Sequence, residues 1–139
     1  MNAPVWVLPE SVHALHEQLL AAFGGATGIR DQGLLASALM RPENRFAYAE
    51  PSLFELAAAY AFGLAKNHPF VDGNKRIGFA VAILFLEING CAFHAAEADA
   101  TIRMLALAAG EMSEASFARW LEANARRVGR RRVRRRAGR

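Results

Sequence analysis

The chain has one cysteine, Cys91, in 139 residues. That excludes an internal disulfide and fits a reducing compartment. A free cysteine usually behaves as a small apolar residue, so Cys91 is expected to be buried beneath a loop. Long hydrophobic runs are missing as well. The longest uncharged apolar stretch is Ile77–Leu86. It falls well short of the roughly 20 residues a membrane-crossing helix needs. Met1 to Glu10 offers neither a basic start nor a long apolar core, so no secretory signal is expected and the expected location is cytoplasmic. There is no internal repeat and no convincing strand run.

Acid is absent from the last fourteen residues, which hold nine arginines. Residues 1–125 carry eight basic and thirteen acidic side chains, a net charge of −5. The overall charge of +4 and the pI near 10 therefore describe a tail, not a domain. Two regions are expected: one domain over residues 1–125 and a disordered arginine-rich tail over 126–139. The tail reads either as a solvated appendage or as an electrostatic arm for nucleic acid or the ribosome. It offers no aromatic platform for sequence-specific stacking. The acidic domain argues against a module whose main task is binding nucleic acid.

A domain of this size can bury roughly 68–70% of its unfolded surface and needs no staple. The pattern within it is helical. Ser11 is a candidate cap for a helix over Val12–Phe23, ended by Gly24-Gly25. Asp31 caps a short second helix that Arg41-Pro42 closes. In residues 43–51, Phe46 and Tyr48 alternate with smaller residues, which predicts an extended or hairpin segment. Ser52 caps a third helix, Leu53 to Lys66, and a fourth runs from about Asn74 to Ile88. That fourth helix is apolar on every side, which marks it as the buried centre. A short extended piece, Cys91–His94, follows. A fifth helix spans Ala96–Gly110 with Ile102, Leu105, Ala106 and Ala109 on one face. Ser113 caps a sixth, anchored by Phe117, Trp120 and Leu121. The expected class is all-α.

The chemistry concentrates in His68-Pro69-Phe70-Val71-Asp72-Gly73-Asn74-Lys75-Arg76. Asn74 is placed to cap the fourth helix, which puts Lys75 and Arg76 in its first turn. Cations are unfavourable there, because the unpaired N–H groups and the macrodipole make that end positive. A bound phosphate resolves the conflict: backbone N–H groups point at it and Gly73 lets the chain come close. Asp72 can hold Mg²⁺, which bridges phosphate oxygens. His68 is the side-chain type most often used for proton transfer. Singly, each residue has a plain structural role open to it. His68 could be a helix C-cap, Asp72 a partner for the helix dipole, and Lys75 and Arg76 a solvated face. Phe70 reads as a core anchor.

This stretch resembles the motif of the Fic/Doc family, which opens His-Pro-Phe and continues through Asp/Glu-Gly-Asn. The resemblance extends to Gly28–Leu39 upstream and Leu84–Gly90 downstream, both similar to death-on-curing (Doc-type) toxins, and covers about residues 8–125. It implies a compact helical bundle of about six helices around a buried central helix, with a small flap hairpin. It also implies His68 as general base, Asp72 as the Mg²⁺ residue, Gly73 and Asn74 as an anion hole, and Lys75 and Arg76 on phosphates. Arg45, Phe46, Ala47 and Tyr48 match a flap that pins the target's backbone as an added strand.

Two positions depart from the adenylylating members, which have glycine where Lys75 stands and a second arginine where Phe79 stands. The Doc branch shares the Lys75-Arg76 pair. The implied reaction is transfer of the γ-phosphate of ATP to a Ser or Thr hydroxyl of a translation factor such as elongation factor Tu, with AMP transfer as the alternative. The Ser/Thr-x-x-x-Glu-Gly/Asn mark of a built-in inhibitory helix is missing: Thr27 is followed four residues on by Asp31, and Ser113 by Phe117. The implied inhibitor is an antitoxin acting in trans.

Overall fold

The computed structural model describes residues 2–129. Six helices appear in chain order: α1 Pro9–Phe23, α2 Gln32–Tyr48, α3 Leu53–Asn67, α4 Asn74–Ile88, α5 Glu97–Ala109 and α6 Glu114–Ala123. Two three-residue strands, β1 Cys91–Phe93 and β2 Ala125–Arg127, pair antiparallel. The helical class agrees with the sequence, and so do the caps at Asp31, Ser52 and Ser113, each of which accepts a backbone N–H. At Ser52 the cap is reciprocal, because Glu55 returns a bond to the Ser52 N–H.

The centre is a pair of antiparallel helices, α3 and α4. One glycine makes their contact close, and a second brings α2 close to α3. A methyl group on Gly78 would lie 3.0 Å from the Ala61 carbonyl oxygen, and one on Gly63 would lie 3.2 Å from the Cα of Ala38. The first contact joins α4 to α3, the second joins α3 to α2. Nine residues of α3 are buried, against seven of α4, so α3 is the more enclosed of the two. Cys91 is buried as expected.

Several boundaries differ from the sequence reading. Helix α1 begins at Pro9, which takes the first-turn position where its missing N–H costs nothing. Helix α2 does not stop at Arg41-Pro42; it continues through Pro42 to Tyr48. Tertiary contacts carry it on. Arg41 and Arg45 both donate to Glu114 of α6, and Phe46 meets Trp6 edge-on at 5.8 Å. The expected flap at Arg45, Phe46, Ala47 and Tyr48 is therefore the last turn of a helix, with Tyr48 90% exposed.

On α5 the inward stripe is Ala100, Met104 and Leu107, whereas Ile102 and Leu105 face outward. An alanine-rich helix offers more than one apolar stripe, and packing against α3, α4 and α6 selects this one. Arg126 and Arg127 belong to β2, so the boundary expected at 125/126 falls inside a strand. The rest of the expected tail from residue 130 lies outside the described residues.

Candidate active site

The C-terminus of α3, the N-terminus of α4 and the connection between α1 and α2 meet at one end of the helical pair. His68 is the C-cap of α3 and adopts the left-handed conformation, φ 50° and ψ 53°. A non-glycine residue held there costs about 1–3 kcal/mol and needs its surroundings to hold it. The holder is the segment after α1. Ile29 bridges Phe70 antiparallel, Arg30 and Asp31 both donate to the Pro69 carbonyl, and Val71 donates to Gly28. The Arg30 side chain donates to the carbonyls of His68 and Asn67, at 2.6 and 2.9 Å. The extended strip beside the motif is thus Gly28–Asp31, not residues 43–51.

Asn74 plays a different part from the one the sequence suggests. Gly73 is the N-cap of α4, at φ 78°, and Asn74 is its first helical residue. Its buried side chain spans the loop: Oδ1 accepts from the Phe70 N–H and Nδ2 donates to the Phe70 carbonyl, both at 3.0 Å. Nδ2 also lies 3.4 Å from His68 Nδ1, a long contact. Asn74 shapes the loop with its side chain instead of capping α4. Lys75 and Arg76 do sit exposed in that first turn, with the Arg76 guanidinium 4.7 Å over the ring of Phe23.

Asp72 is exposed, but its orientation is set. Oδ1 accepts from Gly73 N–H at 2.9 Å and Oδ2 from Ala26 N–H at 3.2 Å. Its backbone carbonyl accepts from His16 Nε2 at 2.8 Å. His16 is buried and stacks on Phe70. Phe70 is buried, as its expected role as a loop anchor requires. Gly25 completes the bracket: a methyl group there would lie 3.0 Å from Asp72 Oδ2.

A cleft of about 810 Å³ opens from this loop. Asp72, Gly73, Asn74, Lys75 and Arg76 line one end; Phe79, Ile83, Phe93 and Met104 make an apolar wall beyond it. Phe79 is held there by Phe93, with ring centroids 5.9 Å apart. The structure thus brings five of the six motif residues onto one cleft, with His68 beside it across Asn74. It does not bring Arg45–Tyr48 there. Those residues sit by the start of α3, and its fifteen residues span about 22 Å. Among the described residues no three His, Cys, Asp or Glu side chains cluster as a metal cage.

Sequence reasoning missed His16, Gly25, Ala26 and Arg30. All four act across 37 to 56 positions of sequence separation, which no local pattern encodes. His16 had one available signal: it repeats with Val12 and Leu20 on the buried stripe of α1.

Fold and site together define a small all-α domain in which the glycine-capped, cation-bearing N-terminus of a core helix opens onto a cleft. A family model described as the Fic/DOC family matches residues 6–86, more than half of the chain. The chain is 38% identical over 115 residues to "Protein kinase doc" of Escherichia phage P1, covering 81% of this chain and 89% of that one. It is 49% identical over 71 residues to "Toxin Doc" of Mycolicibacterium smegmatis, covering 50% of this chain and 55% of that one. The chain belongs to the Fic/Doc family. No helix among the described residues is long and apolar enough to cross a membrane.

Proposed function

We propose that this protein is a Doc-type toxin. It transfers the γ-phosphate of ATP to a Ser or Thr hydroxyl of a translation factor of the elongation factor Tu kind and so arrests translation. The observation that carries the reading is the pair of exposed cations, Lys75 and Arg76, in the first turn of α4, beside the oriented carboxylate of Asp72. That arrangement is electrostatically unfavourable alone and favourable around a triphosphate. Similarity to a protein named as a kinase and to one named as a toxin points the same way.

In this reading His68 takes the proton of the target hydroxyl as its oxygen attacks the terminal phosphorus, and the bond to the bridging oxygen of ADP breaks. Gly73 and the first-turn backbone hold the phosphate oxygens, and Lys75 and Arg76 balance their charge. Asp72 would hold Mg²⁺, which would supply further neutralisation of phosphate charge. A lone carboxylate suits this ion, which keeps waters and shares phosphate oxygens rather than demanding a protein cage. Terminal transfer is favoured over AMP transfer by Lys75 and by Phe79, whose ring is packed against Phe93 and carries no charge for a second phosphate.

A cognate antitoxin acting in trans is the proposed inhibitor. Target docking is not assigned to residues 45–48, given their distance from His68. The experiment is growth of an expressing strain: His68→Ala and Asp72→Ala should each relieve arrest, and continued arrest by both removes the site assignment.

A further inference from the structure

The segment after α1 clamps the motif from outside, and within that clamp one side chain, Arg30, bonds the peptide of His68 itself. Among the described residues His68 is the one non-glycine residue with positive φ. Left to itself, an L-residue leaves that region for the broader right-handed or extended ones. Such a change would swing the Cα–Cβ bond and carry the imidazole away from Asn74 and the cleft mouth. Arg30 opposes it. Its Nε donates to the His68 carbonyl and its Nη2 to the Asn67 carbonyl. These are two of the carbonyls that a helix leaves without intrahelical partners at its end, where the macrodipole also favours a cation. The planar guanidinium suits two adjacent acceptors in a way that a lysine ammonium does not. Its own backbone is fixed by the bond from its N–H to Pro69 O, at 2.7 Å. Arg30 does not line the phosphate cleft.

We propose that Arg30 is a positioning residue for the transfer reaction: it locks the peptide of His68 in the left-handed conformation and so aims the imidazole at the target hydroxyl. The inference rests on the reading of His68 as the general base. Arg30 touches neither phosphate nor hydroxyl in this account, so its loss changes turnover and leaves nucleotide affinity alone.

The test uses the full chain with Arg30→Met and Arg30→Lys, compared in kcat and in KM for ATP, with and without added guanidinium at low millimolar concentration. Nuclear magnetic resonance of the His68 Cα and ring carbons reads its conformation directly. Arg30→Met should lower kcat about 10- to 100-fold, the scale of a small misplacement of a reacting group. KM for ATP should not move, guanidinium should restore part of the rate, and the His68 Cα shift should change. Arg30→Lys, which keeps the charge but offers a single nitrogen in place of the planar fork, should fall between. Wild-type kcat in Arg30→Met, or a loss that guanidinium leaves untouched with the His68 signals unchanged, overturns the proposal. His68→Ala in the same assay separates the two claims. If it abolishes transfer while Arg30→Met is fully active, only the positioning role falls. If His68→Ala is itself fully active, the base assignment falls with it.

Discussion

The imidazole of His16 lies flat on the ring of Phe70, with centroids 3.8 Å apart and planes 17° from parallel. From that position its Nε2–H reaches the carbonyl of Asp72. One residue of α1 thereby fixes both the core anchor of the motif loop and the peptide that carries its carboxylate.

His16→Leu keeps an apolar contact but leaves the Asp72 carbonyl without its donor. A loss of about 1–3 kcal/mol of stability is expected from an orphaned acceptor at a half-buried site. Thermal unfolding measures it. His16→Gln, which can offer an N–H in the same direction, should recover much of the loss. If His16→Leu melts with the wild type, the bond carries no weight.

The contact of α3 with α4 predicts a second outcome. Gly78→Ala places a methyl group 3.0 Å from the Ala61 carbonyl oxygen, a backbone atom that cannot step aside without moving the helix. Overpacking of this kind typically costs about 1–3 kcal/mol, even though alanine is the better helix former. Denaturant unfolding should show a lower midpoint with an unchanged slope. A stabilised Gly78→Ala variant would contradict the close packing.

Tyr60 sets an alkaline limit. Burial pushes its phenol from 10.0 up to about 12, with the bond from Val7 N–H pulling weakly the other way. The folded state therefore holds this proton more tightly than the unfolded chain. Its contribution to stability is full below pH 10.0 and is lost as pH rises toward about 12. Unfolding monitored between those values should show a steep fall in stability, and Tyr60→Phe should flatten it. An equal slope in the variant would mean that another group sets the limit.

At the acid end the sign reverses. The Trp120 indole N–H bonds Asp99 and holds its carboxyl below the usual range, with Arg103 adding to the effect. This contribution is present above the ordinary carboxylate pKa, about 3.9, and fades as pH falls below it. Asp99→Asn should reduce acid sensitivity, read from Trp120 fluorescence during acid titration.

Local chemistry made much of this molecule legible. Ser52, Asp31 and Ser113 announced three helix starts, because each accepts a backbone N–H within its own turn. The motif was legible because its residues are contiguous and Lys75 and Arg76 sit at an end that repels them. What failed was non-local. Pro42 is a local stop signal, yet Glu114, more than sixty residues downstream, draws Arg41 and Arg45 into a continuing helix. Asn74 looked like a cap because asparagine so often is one, but the left-handed Gly73 took that place and freed the amide to tie down Phe70. Arg30 and His16 are ordinary in sequence and gain meaning only through the carbonyls they meet across the fold.

The central claim is that the terminal phosphate, and not the nucleotidyl group, leaves the cleft. Purified protein incubated with a translating lysate and either γ-labelled or α-labelled ATP tests it directly, with His68→Ala as control. The account predicts label on a protein near the size of elongation factor Tu from the γ-phosphate alone, and none with His68→Ala. Label arriving from the α-phosphate would contradict it and make this chain an adenylyltransferase.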